Sequence, residues 1–378
     1  MTKIKIAVAG VGNCFSALYQ GLSYYKDARS ENIPGIMFAD IGGYYPGDIE
    51  VVAAFDVDKR KVGLPVGKAI FSRPNCARVF CSDVPDGPIV QMSQILDGVS
   101  DYMLNQPEDE GFRIDADLKP VDVVKALKDS KADLLLNYCP VGSQKATEFY
   151  AQCAIDAGIA FLNCIPQFIA SDPKWEKKFI DAGLPLIGDD MRSALGASVL
   201  SQVLQELAFD RGFAVDFHQQ INIGGNTDFN NMMVQSRLKS KKESKENVIR
   251  AQNDIRGIPI PRHSLFAGPS TYIPYLGDNK VAYFNLRLRG FGDNPVTIDV
   301  KLSVQDSENS AGVVIDAIRY LKVARELGVI GALRGPSAWT QKTPPEQMMY
   351  ADAKRECEAL AKRQITPKVK LQIRPKTA

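Results

Sequence analysis

The N-terminal stretch constrains this chain more than any other feature. Ile4-Lys5-Ile6-Ala7-Val8-Ala9 is a strand-like stretch, Gly10-Val11-Gly12-Asn13 follows as a turn, and Ala17, Leu18 and Leu22 recur at helical spacing. Strand, glycine turn and helix in that order open a βαβ unit whose turn can hold a nucleotide. Backbone amides at Gly12 and Asn13 can approach a pyrophosphate because glycine has no Cβ, and the helix offers its positive end to the anion. The GxGxxG fingerprint is incomplete: Phe15 stands at the third small position, and Ser16 and Ala17 are left to provide the close helix packing. A second buried run, Val51 to Phe55, ends at Asp56. That carboxylate is placed to accept hydrogen bonds from an adenosine ribose and would repel a 2′-phosphate, so NAD is the expected cofactor. Its alternative is a turn aspartate before Asp58-Lys59. Residues 29–48, with two prolines and four glycines, read as a loop inserted in the crossover.

Three more strand candidates each end in a small polar residue: Leu134 to Leu136 into Asn137, Ile159 to Leu162 into Asn163, and Leu184 to Ile187 into Gly188-Asp189-Asp190. Helical patterns at Thr147 to Ala157 and Trp175 to Ala182 separate them, which predicts a doubly wound parallel sheet with its ligand crevice beyond the carboxyl ends. Asn137, Asn163, Asp189 and Asp190 should line it. After about residue 212 the texture changes to period-two alternation, as in Val296, Ile298, Val300, Leu302 and Val304, the mark of a sheet with one wet face. Between these strands, Arg237 to Arg250 holds six basic and two acidic residues and reads as part of a loop- and charge-rich, mobile stretch. Helices are expected from Ser310, with Gly328 at C′, and from about Glu346 to Arg363, and no structure after Gln364. The expected class is α/β: a Rossmann-like domain of residues 1–205 plus 311–378, interrupted at 206–310 by an α+β domain on a mostly antiparallel open sheet. A chain of 378 residues suits two domains.

With 46 basic against 44 acidic side chains, the chain lacks the means for a sustained basic face, so nucleic acid and membrane surfaces are excluded as partners. No apolar run nears the ~18 residues of a membrane span, and the N-terminus enters a strand directly. Seven cysteines without a CxxC pair read as free thiols of a reducing cytoplasm. His218 and His263 have no Cys or His neighbour at ligand spacing, which argues against zinc. Lys241 and Lys245, four apart, would share one helix face, although for an arbitrary lysine run a solvated basic segment is the favoured explanation.

Six separated segments carry a resemblance: Gly188-Asp189-Asp190-Met191-Arg192-Ser193-Ala194-Leu195-Gly196-Ala197; Asn222-Ile223-Gly224-Gly225-Asn226-Thr227-Asp228-Phe229; Leu238 to Lys245; Gly268-Pro269-Ser270 with Gly277-Asp278-Asn279-Lys280; Asp306 to Gly312; and Lys342-Thr343-Pro344-Pro345-Glu346-Gln347. In this order, through nearly the whole chain, they resemble the myo-inositol-1-phosphate synthases of the shorter bacterial and archaeal type. The resemblance implies an isomerase that converts D-glucose 6-phosphate to 1D-myo-inositol 3-phosphate. It oxidises C5, enolises by loss of a C6 proton, closes C6 onto C1 and reduces the product with the retained NADH. It implies catalytic roles for Lys241 (the C5 hydroxyl proton), Lys342 (the C1 carbonyl oxygen), Lys245 and Lys280 (phosphate and enolate), with Asp190 and Asp306 holding ammonium groups. Asn222, Asn226, Asp228 and Ser193 are expected around the substrate, with Ser270 a further hydroxyl. Cofactor contacts are expected from Gly10, Gly12, Asn13, Cys14, Asp56, Asn137, Ser143, Asp189 and Ser198. A divalent cation held by Asp190, Asp306 and NAD phosphates is an open alternative to an ammonium group at the enolate. A homotetramer is implied as well. One departure is Arg192, where the family usually has lysine: arginine can neutralise aspartates but has no accessible pKa for proton transfer. The rival readings are a net sugar-phosphate or semialdehyde dehydrogenase, which would release NADH, and an NAD-sensing regulatory protein.

Overall fold

The computed structural model describes residues 3–258 and 260–364, so the basic tail after Gln364 lies outside the described residues. Seven parallel strands form the first sheet: β1 (Ile4–Ala9), β2 (Ile49–Asp56), β3 (Val90–Met92), β4 (Leu134–Asn137), β5 (Ala160–Asn163), β6 (Pro185–Ile187) and β11 (Gly331–Ala332). Their spatial order is β11-β6-β5-β4-β1-β2-β3, the Rossmann order extended by one edge strand. Side-chain alternation along β1 explains why both faces are covered. Ile4, Ile6 and Val8 point into one core with Phe15 and Leu18 of α1 (Asn13–Tyr24), while Ala7 and Ala9 point into the other with Tyr150, Ala151 and Ala154 of α5 (Gln144–Ala157). The short α2 (Val66–Ala69), α3 (Asp101–Leu104) and α4 (Val123–Asp129) belong to the crossovers, and α6 (Pro173–Asp181) adds Phe179 to the second core.

The second sheet is β10-β9-β7-β8, built from β7 (Ala214–Gly224), β8 (Leu265–Tyr272), β9 (Asn279–Arg289) and β10 (Pro295–Gln305). β9 pairs antiparallel with both β7 and β10, and β8 joins β7 in parallel, so the sheet is mostly antiparallel. Helix α7 (Ala197–Asp210) covers one face: Leu200, Leu204 and Ala208 pack with Leu286, Leu288 and Ile298. Both expected domain boundaries, 205/206 and 310/311, fall inside helices, α7 and α10 (Asp306–Glu326). Helix α10 starts four residues earlier than the periodicity predicts and runs from the second sheet into the first core, where Val314, Ile318 and Leu321 are buried. Gly328 follows it with φ +72°. Two shorter helices, α11 (Arg334–Thr340) and α12 (Tyr350–Ala361), complete the packing against α10.

The main correction concerns the charged stretch after residue 234. In place of a loop it forms α9 (Gln235–Ile255), preceded by α8 (Thr227–Asn231). The span contains no Gly or Pro and is rich in Lys and Glu, which are good helix formers. Its buried residues Ser244, Lys245, Val248, Ile249, Gln252 and Asn253 lie on one stripe, so the inward face is polar on both sides of a short apolar middle. Hydrophobic periodicity is a poor guide to such a helix.

The inserted loop at 29–48 is held by one buried cation. Arg319 of α10 donates to the carbonyls of Phe38, Ala39 and Tyr44 at 2.6, 2.8 and 3.0 Å and pairs with Asp316, both side chains being fully buried. Burial pushes the Asp316 carboxyl up to about 6 against the pull of Arg319. Arg319→Leu would leave the buried Asp316 carboxylate without its counter-ion and several carbonyls without this donor. It is expected to lower unfolding stability by about 3 kcal/mol or more, read from urea denaturation at pH 7.5.

Candidate active site

A deep cleft opens beyond the carboxyl ends of β1, β2 and β4 and continues between the two sheets. At one end the Gly10–Gly12 turn faces it. Gly10 has φ +96°, and a Cβ there would lie 2.6 Å from the Tyr138 carbonyl oxygen, so only glycine lets β1 and β4 approach this closely. A Cβ at Gly12 would meet no protein atom within 4 Å and would project into open space. No side chain caps α1, and Gly12, Asn13 and Cys14 line the cleft, so the first-turn amides are available to an anion. Phe15, the departure from the fingerprint, is buried against Tyr19 with ring centroids 5.8 Å apart.

Asp56 lines this end too, but its carboxylate already accepts from the amides of Val11 (2.7 Å), Val57 (2.7 Å) and Asp58 (2.9 Å). It therefore shapes the glycine turn as well as presenting an acceptor to the cleft. Asn13 is similarly engaged: Oδ1 accepts from Cys76 and Ala77, and Nδ2 donates to Thr227 across the cleft at 3.1 Å. The sequence reading missed Lys61, a buried lysine on this wall that donates to Asn75 at 2.9 Å. Burial lowers its pKa, against the pull of Asp56 and Asp58.

At the opposite end four lysines converge from three directions. Lys241 and Lys245 come from α9, Lys280 from β9, and Lys342 from the segment after α11; all four line the cleft. Asp190 lies beneath them, fully buried and with φ +63°. Its Oδ1 accepts from Lys342 Nζ at 2.8 Å and Lys241 Nζ at 3.2 Å, its Oδ2 from Ser244 Oγ at 2.7 Å, and its carbonyl from the Lys342 amide at 2.7 Å. Asp306, at the start of α10, pairs closely with Lys280. Asp228 stands 3.8 Å from Lys241.

The charges divide the lysines by proton affinity. Burial disfavours the Asp190 anion, yet Lys241 and Lys342 outweigh it and hold the carboxyl well below its ordinary range. Burial likewise opposes the Lys241 ammonium, but Asp190, Asp228 and Asp306 together raise its pKa above normal and favour the cation. Lys342 shares only Asp190, so burial prevails and brings it down to about 8. Lys245 has no ion pair among the described residues; burial and the three neighbouring lysines push it well below the usual lysine value.

Asn222, Asn226, Asp228, Ser193 and Ser198 also line the cleft. Asn226 uses Oδ1 to cap α8, accepting from the amides of Asp228 and Phe229, and donates to buried Asp278 at 3.1 Å. Asp278, which the reading quoted in a motif without assigning it, also receives the amide and hydroxyl of Ser307 at 3.0 and 2.8 Å. Three expected cofactor contacts lie off the cleft wall. Asn137 bonds Thr147 and Asn163, the Ser143 hydroxyl turns to the Pro140 carbonyl, and Asp189 accepts from Asn163 and the 169–171 turn. Strand-end polar residues can fasten the loops as readily as face the ligand. Ser270 is exposed on β8, outside the cleft lining. Arg192 donates to the Gln341 carbonyl and Gln202, so it ties two loops together instead of facing the aspartates. Among the described residues no group of three or more His, Cys, Asp or Glu could hold a metal ion.

Lys245 is the costliest of the four ammonium groups to bury, since no carboxylate is paired with it. Lys245→Met should therefore raise the urea midpoint of the ligand-free protein by an amount equivalent to about 1 kcal/mol. A lowered midpoint would show that its charge is compensated.

Comparison with known proteins gives relatives along nearly the whole chain. A family model described as myo-inositol-1-phosphate synthase matches residues 196–307. The inositol-3-phosphate synthase of Mycolicibacterium smegmatis is 44% identical over 360 residues, covering 94% of this chain and 97% of that protein. That of Corynebacterium glutamicum is 44% identical over 364 residues, with the same two shares, 94% and 97%. In fold, the chain matches the crystal structure of a myo-inositol-1-phosphate synthase-related protein from Thermotoga maritima, with TM-score 0.79 at 24% identity over 95% of this chain and 98% of that one. With nearly full-length identity of this order, the chain belongs to the myo-inositol-1-phosphate synthase family.

Proposed function

We propose that this protein converts D-glucose 6-phosphate to 1D-myo-inositol 3-phosphate with NAD as an internally recycled cofactor. The observation that carries the reading is the convergence of four lysines on Asp190 and Asp306 at the far end of a cleft that begins at a dinucleotide turn. The open space at Gly12, the uncapped start of α1 and the acceptor at Asp56 are a donor and acceptor set that fits NAD. When bound, NAD takes a hydride from the sugar and returns it within the same turnover.

The chain's own groups supply the rest. Lys342, whose pKa is lowered toward neutrality, takes the proton of the hydroxyl being oxidised, a role the resemblance alone gave to Lys241. Lys241, fixed as a cation, stabilises negative charge developing on the neighbouring oxygen. Lys245 and Lys280 bind the phosphate and the enolate oxygen, with Asp306 orienting Lys280. Asn222, Ser193 and Ser198 contact the sugar and phosphate, and the uncapped N-terminus of α7 adds amides to the anion site. Asp190 and Asp306 are both engaged by ammonium groups, so the enolate is assigned to lysine here and not to a divalent cation.

Two further properties belong to this reading. The sheet face that bears Gln219, Ile221, Tyr283 and Asn285 is left open in the single chain, which supports a homotetramer assembled across it. All seven cysteines are unpaired, the state a reducing cytoplasm maintains, and no helix among the described residues is long and apolar enough to cross a membrane.

The direct test incubates protein with glucose 6-phosphate and NAD, following phosphorus NMR and NADH absorbance in one tube. Inositol phosphate without accumulated NADH, unchanged by EDTA, is the expected result. NADH rising in step with substrate loss would make it a net dehydrogenase, no reaction would favour the sensor reading, and loss of turnover in EDTA would return the enolate to a metal. Because a neutral Lys342 is the form that accepts a proton, kcat/KM should rise with pH through about 8 and level above it. Lys342→Arg should lower kcat by about 10³-fold, since guanidinium keeps its proton, while NAD affinity is retained. A falling limb near that pH would instead make Lys342 the proton donor.

A further inference from the structure

His218 takes no part in the site as described, yet it stands at the head of a buried hydrogen-bond chain that ends in it. The imidazole is fully buried on β7; Nε2 lies 3.0 Å from Ser201 Oγ of α7, and Nδ1 has no partner. Ser201 Oγ is 2.9 Å from Gln220 Oε1, Gln220 Nε2 is 3.2 Å from Asn222 Oδ1, and Asn222 Nδ2 is 3.4 Å from the Gly268 carbonyl. All four side chains are buried, and Asn222 alone among them lines the cleft.

The direction of the chain is fixed from its far end. A carbonyl only accepts, so Asn222 must turn its NH₂ to Gly268 and its oxygen to Gln220. Gln220 must then donate from Nε2 and accept at Oε1, which commits the single proton of Ser201 to Gln220. The contact between Ser201 and His218 is left with one possible donor, His218 Nε2–H. The unpartnered Nδ1 is accordingly a bare lone pair and not a buried N–H. Burial lowers the imidazole pKa to about 4, so the ring is neutral at ordinary pH.

The geometry points to His218, Ser201 and Gln220 as a positioning relay that sets the polarity of Asn222. With its oxygen occupied, Asn222 offers the cleft its second amide N–H, and so receives a ligand atom that accepts: a phosphate, carbonyl or alkoxide oxygen. A terminal amide is nearly symmetric in shape, and without the relay its orientation would depend on the ligand. This inference rests on the proposed reaction for the identity of the ligand, and on the hydrogen-bond chain alone for the polarity.

The chain has two histidines, so ¹⁵N-histidine labelling gives two ring systems, and His263→Asn leaves only that of His218. A neutral Nε2–H tautomer that changes in Ser201→Ala is expected; an Nδ1–H tautomer or an imidazolium at pH 7 overturns the relay. In NAD-saturated protein, His218→Leu and Ser201→Ala should each lower kcat/KM about tenfold or more, while His218→Gln, which keeps an N–H at the same place, should stay within about twofold of wild type. Ser201→Ala introduced into Asn222→Ala should produce no further loss, because the relay acts only through Asn222. Equal losses in both backgrounds, or His218→Gln as damaging as His218→Leu at an unchanged unfolding midpoint, would overturn it. Should the wild-type protein form no inositol phosphate, the proposed reaction fails by itself; the tautomer, and calorimetric binding of glucose 6-phosphate to wild type and Ser201→Ala, then judge the relay.

Discussion

Everything in the cleft turns on the fact that Asp190 is a buried anion with two ammonium partners. One carboxylate oxygen serves both Lys241 and Lys342, the other takes Ser244, and the backbone carbonyl of the same residue holds the Lys342 amide. These bonds join the end of β6, the face of α9 and the segment after α11 at one point. An isolated ion in that position would be prohibitively expensive to desolvate, and the same low-dielectric surroundings make its pairing strong. The arrangement is stable because the charges nearly balance: four lysines face Asp190, Asp228 and Asp306, with Asp278 directly behind. The imbalance is concentrated at Lys245.

Competition for a shared carboxylate differentiates residues that are chemically identical. Lys241 and Lys342 touch the same oxygen, but Lys241 also faces Asp228 and Asp306, and their proton affinities separate in opposite directions. One lysine becomes a permanent charge and the other an exchangeable proton site. No change of residue type is needed, only a difference in how many anions each ammonium faces.

Much of the fold was legible in the sequence for a simple reason. β4 and β5 are short apolar runs, β1 is one interrupted only by Lys5, and the β10 strand alternates, so periodicity spoke plainly. It was silent on α9, whose inward face carries Ser244 and Lys245 at one end, because a helix that delivers polar groups to a site does not display an apolar stripe. The site was legible where several motifs converge, as with the four lysines. It was misleading at Asn137, Ser143 and Asp189, where a polar side chain at a strand end or a helix start turned inward to fasten a loop. Nothing in the local sequence distinguishes those two uses. Arg192 illustrates the same limit: placed beside two aspartates in the sequence, its guanidinium reaches Gln341 and Gln202 instead.

Helix α10 carries a consequence for how the enzyme breathes. It begins at Asp306, which pairs with Lys280, and continues without interruption for 21 residues into the first core, where Arg319 is locked to the inserted loop. A rod of roughly 30 Å anchored at both ends has no joint along its length. The two sheets are thereby spliced by a rigid beam, and a clamshell hinge on that side is mechanically closed off. The Asp306 end of the site is thus tied to the first core by one unbroken helix.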